Sequence, residues 1–281
     1  MGQSKTYSGF NQKTAENLLL DAGAFFVNLD PATENFDDAV TAGKLLGATR
    51  GGGKFTAIPK MRTIEIDGVK GAAKGLQVID AWEVKMLANV LEVTVEGISK
   101  ALTASEVDTV TNAVYEIIKA KNYIALTDYI DNITWVGKLS GTTEPAIIQV
   151  YNALNSNGLT LQTQDKAESV IAMEFMGHYA SDDLDNPPFA IYYPKAQGII
   201  TGTVTELIGA VATPVSGATV TLTAGTTTVT ATTAADGTYT LLGVPYGTYT
   251  VTANKDAKTG TALNVVVVAG QTTANVAIAI A

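Results

Sequence analysis

From about residue 198 onward, apolar and polar side chains alternate with a period of two. Ala218-Thr219-Val220-Thr221-Leu222-Thr223, Thr238-Tyr239-Thr240-Leu241 and Thr248-Tyr249-Thr250-Val251-Thr252-Ala253 each place Val, Leu or Tyr on one side and Thr on the other. This pattern predicts strands with one dry and one wet face. Ala235-Asp236-Gly237 and Val244-Pro245-Tyr246-Gly247 lie between them. They supply the positive φ and preset φ that tight turns need. Residues 198–281 hold 22 Thr and 12 Val in 84 positions. Such β-branched side chains suit pleated strands, and short strands at this spacing predict a small β-sandwich.

The preceding residues are mixed but strand-dominated. Phe25–Leu29, Met61–Asp67, Asp80–Met86 and Ile171–Phe175 alternate or run apolar over strand lengths and are the expected core. Val95, Ile98 and Leu102 recur at helical spacing behind Thr94, which predicts one short helix with Thr94 as its cap. Ser105–Asn122 fits helix and strand equally, because Val110, Val114, Ile117 and Ile118 share a helical face but are β-branched. Leu45–Met61, containing Gly51-Gly52-Gly53 between Arg50 and Lys54, reads as a long, mobile, positively tipped loop.

Charge sharpens the division. Residues 198–281 carry 2 basic and 3 acidic side chains, which leaves to residues 1–197 the other 16 of 18 basic and 24 of 27 acidic ones. Two domains are expected, at 1–196 and 197–281. The net charge of -9 opposes a grip on phosphates. No cysteine is present, which excludes disulfides, thiolate nucleophiles and cysteine-ligated metals. One histidine, His178, excludes a multi-histidine metal centre. The opening residues MGQSKTYSGF lack the apolar core of a secretory signal, so no Sec-type export is expected. Gly2 and Thr6 satisfy a myristoylation pattern too loose to carry weight. The charge-free stretch Thr259–Ala281 is broken by Gly270, Gln271, Thr272, Thr273 and Asn275, so it is no bilayer helix.

Catalytic chemistry finds little support. Gly47–Lys54 fails the phosphate-loop pattern at Ala48 and Phe55. Asp182, Asp183 and Asp185 lack the glycine and glutamate of a calcium loop and read as a solvated acidic turn. His178 has no visible partner and reads as a satisfied structural side chain. The pairs Asp37/Asp38 and Asp128/Asp131 are neighbours of the kind that an acidic chain produces by chance, and no G-x-S-x-G is present. Asn132-Ile133-Thr134 is a glycosylation sequon by pattern only. The expectation is a non-enzyme without metal or cofactor.

Several runs carry a resemblance. Asp21–Asp30, Gly43–Phe55, Ile66–Gly71 and Asn132–Gly137 together look like the major tail tube proteins of long non-contractile-tailed phages, over roughly residues 1–195. Gly202-Thr203-Val204, Pro214–Leu222, Asp236–Leu241 and Val244–Val251 resemble carboxypeptidase-regulatory-like and Ig-like modules. The resemblance implies a mainly β protein: a tail-tube-type β-barrel or sandwich with a short helix, then an Ig-like sandwich. It implies a virion structural protein whose hexameric rings stack into a tube that conducts DNA during ejection. Its partners would be further copies of itself, the tape measure, tail terminator and distal tail proteins, and genomic DNA in transit without specific binding. The Arg50, Gly51, Gly52, Gly53, Lys54 loop is then expected to reach the adjacent ring, so that deleting Gly51–Gly53 would block tube growth and spare the fold. The last domain is expected to project as a decoration with weak affinity for host-surface carbohydrate and no membrane insertion. A bacterial surface or adhesion protein built of β-sandwich domains is the alternative reading.

Overall fold

The computed structural model describes residues 14–140, 142, 144–163, 165–225, 227–268 and 271–281. They divide into two compact units. One comprises Leu19–Lys138 and Ala146–Tyr192; the other comprises Tyr193–Ala281, Leu139–Pro145 and residues 14–18. Composition carries no sign that Leu139–Pro145 belongs with the later residues. Within that unit the Thr227 hydroxyl donates to the Glu144 carboxylate at 3.2 Å, and the Leu18 amide donates to the Ser140 hydroxyl at 2.9 Å.

The first unit is built on β1 (Ala24–Val27), β2 (Thr49–Thr63) and β3 (Gln77–Val90), followed by the small hairpin β4 (Ser105–Asp108) and β5 (Ile117–Ala120). The main sheet is completed by β6 (Ile130–Gly137), β7 (Ala146–Asn155), β8 (Ile171–Met176) and β9 (Phe189–Tyr192). The order across the sheet is β1-β6-β7-β8-β3-β2, all antiparallel, with β9 also on β7. Alternation dictates which side faces in: Val84, Met86, Ala88 and Val90 of β3 are buried together with Ile171, Met173 and Phe175 of β8. Opposed pairs such as Met86↔Phe175 and Ala88↔Met173 fill the centre, and Ile133, Trp135 and Val150 close it from β6 and β7.

Two short helices flank the sheet. In α1 (Phe36–Thr41) the Asn35 side chain accepts from the Asp38 amide, so Asp37 and Asp38 are first-turn acids facing the positive end of the helix dipole. In α2 (Val95–Ala101) the Thr94 hydroxyl accepts from the Gly97 amide at 3.0 Å, the cap expected from sequence. Asn155 ties α2 to the sheet. Its side-chain amide donates to the Ala101 carbonyl at 2.6 Å, and its side-chain oxygen accepts from the Glu174 amide at 3.0 Å.

Two expectations change, and the stretch left open between helix and strand is resolved. Ser105–Asn122 holds the β4–β5 hairpin; Val110 and Val114, which a helix would have placed on its apolar face, are 89% and 78% exposed. Their turn is held instead by Asp108, which accepts from the Val110 and Thr111 amides. Leu45–Met61 is no mobile loop, for most of it is β2, paired with β3 from Thr49↔Val90 to Thr63↔Gln77. Pro59 is tolerated there because β2 is the edge strand. Residues 64–67, expected to continue a strand, lie beyond β2 in the turn that joins it to β3.

The second unit contains β10 (Gln197–Ile208), β11 (Val211–Pro214), β12 (Thr219–Ala224), β13 (Thr227–Thr232), β14 (Thr238–Pro245), β15 (Gly247–Lys255), β16 (Lys258–Val267) and β17 (Thr272–Ile280). They form two sheets, β11-β10-β14 with β17 parallel to β10, and β13-β12-β15-β16. Ile200, Val204, Val220, Leu222, Leu241, Val251 and Ile278 interlock between the sheets as the alternation requires. Tyr239 is buried; its hydroxyl donates to the Val276 carbonyl at 2.9 Å, and burial pushes the phenol up to about 12. The buried Thr233 hydroxyl accepts from the Ala218 amide at 2.8 Å and donates to the Val215 carbonyl at 2.6 Å. Chain-wide, the protein is mainly β, with few helical turns and an Ig-like C-terminal sandwich.

Candidate functional site

The sheet of the first unit curls until its ends, β1 and β2, approach each other. Alongside β1 the seam is closed by Val27 N–H to Lys44 O and Leu46 N–H to Phe25 O, both 2.8 Å. Farther along, no backbone hydrogen bond among the described residues joins Leu19–Ala24 to Gly51–Phe55. A cavity of about 450 Å³ opens there. Phe25, Phe55, Met86, Trp135 and Ile148 wall it, the glycine triplet forms one side, and Asp21 and Lys54 bring opposite charges to it.

The triplet has three distinct jobs. Gly51 and Gly52, at φ of 78° and 65°, bend β2 where its register shifts between Thr49 and Gly53. Such a bulge needs residues at home in the left-handed region. Gly53 provides space: a Cβ there would lie 2.2 Å from the Leu87 carbonyl oxygen and 2.4 Å from Phe25 Cζ. Trp135 is fixed as a wall by its indole N–H, which donates to the Ala22 carbonyl at 2.9 Å. Arg50 is not a free cation, because it pairs with Glu168 at 2.6 Å. The Glu168 carboxyl is held below its ordinary value first by its own backbone amide and then by Arg50. Of the five residues singled out from sequence, Gly51, Gly52, Gly53 and Lys54 meet at this cavity, and Arg50 turns to Glu168.

Beyond the cavity, β2 and β3 continue as a two-stranded ribbon. Every residue from Lys60 to Ala72 is exposed, including Met61 at 60% and Ile66 at 51%. Ile58, Ile64, Val69 and Ile79 are exposed as well. Cross-strand ion pairs, Arg62–Asp80 at 2.8 Å and Lys60–Glu83 at 3.8 Å, hold the ribbon, and the apex turns at Asp67-Gly68 with Val69 N–H on Ile66 O. Sequence reasoning singled out the glycines and not this exposed turn. The signal was there in Asp-Gly flanked by alternating Ile64, Ile66 and Val69.

None of the remaining candidates lines this cavity. His178 Nδ1–H donates to the Asn152 carbonyl at 2.9 Å, and Tyr129 meets the ring edge-on at 5.1 Å. It borders a second cavity of about 270 Å³ with Asp131 and Asp183. The Asp183 carboxylate is engaged by the Asn186 amide at 2.8 and 2.9 Å. Asp128 pairs with Lys121 and caps the Ala125 amide, not a neighbouring acid. Asn132 and Thr134 of the sequon bond to one another inside the sheet, Thr134 fully buried. Among the described residues no group of His, Asp and Glu could hold a metal ion, and no helix is long and apolar enough to cross a membrane. The myristoylation pattern at Gly2 and Thr6 lies outside the described residues.

No curated protein matches the chain. Among solved structures, the Bacillus anthracis TIE protein aligns at 10% identity over 86% of this chain and 42% of that one, with a TM-score of 0.23. This chain thus spans less than half of that protein's length, and a likeness so slight carries no argument. Residues 199–281 match the carboxypeptidase regulatory-like domain family. The sandwich of β10–β17 is therefore a carboxypeptidase regulatory-like domain of Ig type.

Proposed function

We propose that the protein is a self-assembling structural subunit, the major tail tube protein of a long non-contractile-tailed phage. In this reading hexameric rings stack into a tube for DNA passage, and the regulatory-like domain decorates the particle and touches host-envelope carbohydrate weakly. The tape measure, terminator and distal tail proteins would be its partners in the virion, and no catalysis is assigned to it. The observation that supports self-assembly is the β2–β3 ribbon. A two-stranded ribbon is marginal in water on its own, and burying one exposed Ile, Val or Met side chain gains ~1.5–3 kcal/mol. Six such side chains, Ile58, Met61, Ile64, Ile66, Val69 and Ile79, stand exposed along one ribbon. A surface of this kind is explained by a partner. An acidic first unit also suits a DNA conduit, because acids facing a lumen repel phosphates and let the polymer slide.

The test is negative-stain electron microscopy of the concentrated full-length protein. Hollow tubes or stacked rings are expected. A chain that remains monomeric at high concentration and fails to enter tail particles, yet binds cell walls, would instead support the surface-protein reading that an Ig-type domain also allows.

A further inference from the structure

We propose that the cavity beside the glycine triplet is a small-molecule site whose ligand is a free α-amino acid with a large apolar side chain. The cavity lies wholly in the first unit, and the inference is independent of the assembly reading.

Size and lining fit such a guest. The cavity measures about 450 Å³, within the roughly 300–1,000 Å³ of small-molecule sites, which are mostly apolar with a few polar groups that orient the ligand. Its apolar wall consists of Phe25, Phe55, Met86, Trp135 and Ile148. This wall is preformed. The Trp135 ring is clamped between two glycines, for a Cβ on either Gly23 or Gly137 would overlap the indole. Both positions are glycine for the space that this ring takes. A wall set before the ligand arrives leaves little to be ordered on binding.

Charge selects the head group. Asp21 and Lys54 both line the cavity, both are exposed, and neither takes part in an ion pair among the described residues. An anion drawn to Lys54 therefore comes up against Asp21 in the same cavity, and a cation drawn to Asp21 comes up against Lys54. A head group that carries both signs satisfies the two together: its ammonium donates to the Asp21 carboxylate, and its carboxylate accepts from the Lys54 ammonium. The wall then takes the side chain, and Phe25, Phe55 and Trp135 offer ring contacts to an aromatic one. An α-amino acid joins such a head directly to such a body.

Isothermal titration calorimetry of the full-length protein with L-phenylalanine is the test. Two analogues each lack one charge: phenethylamine has no carboxylate, and 3-phenylpropanoate has no ammonium. L-Phenylalanine should bind about tenfold more tightly than either, the worth of one hydrogen bond to a charged group. Lys54→Met should bind L-phenylalanine and phenethylamine alike, and Asp21→Asn should bind L-phenylalanine and 3-phenylpropanoate alike, because each variant removes the partner of the missing group. Both positions are exposed, so both variants should fold, as circular dichroism would confirm. Position is read separately. The chain has two tryptophans, so Trp82→Phe, its folding checked in the same way, leaves Trp135 as the sole indole. Its emission should shift when L-leucine, which does not fluoresce, fills the cavity. No binding of L-phenylalanine up to its solubility limit overturns the proposal, and so does binding that both folded variants leave unchanged. An indole emission that stays constant at saturating L-leucine places the ligand elsewhere and overturns it as well. None of these outcomes bears on the assembly reading, which tube formation decides by itself.

Discussion

The Phe25 ring lies over Gly53 so closely that no side chain fits between them; a Cβ on residue 53 would sit 2.4 Å from Phe25 Cζ and 2.2 Å from the Leu87 oxygen. One of these neighbours is backbone and cannot rotate away. Gly53→Ala should therefore destabilise the first unit by about 1–3 kcal/mol, as overpacking does. Differential scanning calorimetry should show the transition of that unit falling while that of the Ig-type domain holds. A Gly53→Ala protein with unchanged melting would show that β1 and β2 are not in contact as described. It also follows that deleting Gly51–Gly53 is a poor probe of assembly, because it removes the bulge and part of a paired strand.

In the second unit the same calorimetric separation tests Thr233. Its hydroxyl serves the Ala218 amide and the Val215 carbonyl inside the sandwich. Thr233→Val keeps the shape and strands both backbone groups, a loss of about 1–3 kcal/mol, whereas Thr233→Ser keeps the hydroxyl and should lose less. A larger loss from Thr233→Ser than from Thr233→Val would mean that the methyl group, not the hydroxyl, matters.

Asn155 offers a harsher version in the first unit. Asn155→Leu leaves the Ala101 carbonyl and the Glu174 amide without their partner, and it should cost about 2–5 kcal/mol. Hydrogen exchange should then rise first at Glu174 and in α2.

Acid should loosen the β4–β5 hairpin before the main sheet. Hydrogen bonds from the Thr111 hydroxyl, then from the Thr111 and Val110 amides, pull the Asp108 carboxyl down from 3.8 to about 2. A depressed carboxylate contributes stability that is fully present above its unfolded value and is lost as pH falls through the folded one. The Val110 and Thr111 amides should therefore lose protection between about pH 4 and pH 2, and Asp108→Asn, which does not titrate, should flatten that dependence. Identical pH profiles for the two proteins would remove Asp108 from this role.

Replacing residues 65–75 with an Asn-Gly turn should leave thermal stability within about 0.5 kcal/mol, because exposed side chains away from the core contribute little to it. Assembly, read by light scattering, should nevertheless stop. Tubes grown from that variant would separate the apex from any role in association.

The parts of this fold written in local pattern were legible. Thr94 ahead of Val95, Ile98 and Leu102 announced α2, and the Thr-Val alternation announced the sandwich strands. The glycine triplet misled because three glycines read as freedom, whereas Gly53 is glycine for want of space and Gly51 and Gly52 for a bend inside a strand. That distinction depends on Phe25, 28 positions earlier, and on Leu87, 34 later, so no local window contains it. The stretch around Val110 and Val114 stayed open between helix and strand: the spacing of these valines suits a helix, but Asp108 and Asn112 capture the nearby amides and turn the chain back. The cavity itself was invisible, since β1, β2, β3, β6 and β7 each supply a side chain to it.

The parallel pairing of β10 with β17 has a mechanical consequence. The chain enters the regulatory-like domain at the start of β10, and its final strand runs beside it in the same direction from Ile199↔Thr272 to Glu206↔Ile280. Opposed pulls on Gln197 and Ala281 therefore run along the strands and load the whole ladder in shear, so its hydrogen bonds share the force instead of opening one by one. A domain wired in this way transmits tension between whatever holds its first strand and whatever grips its last, and it yields late.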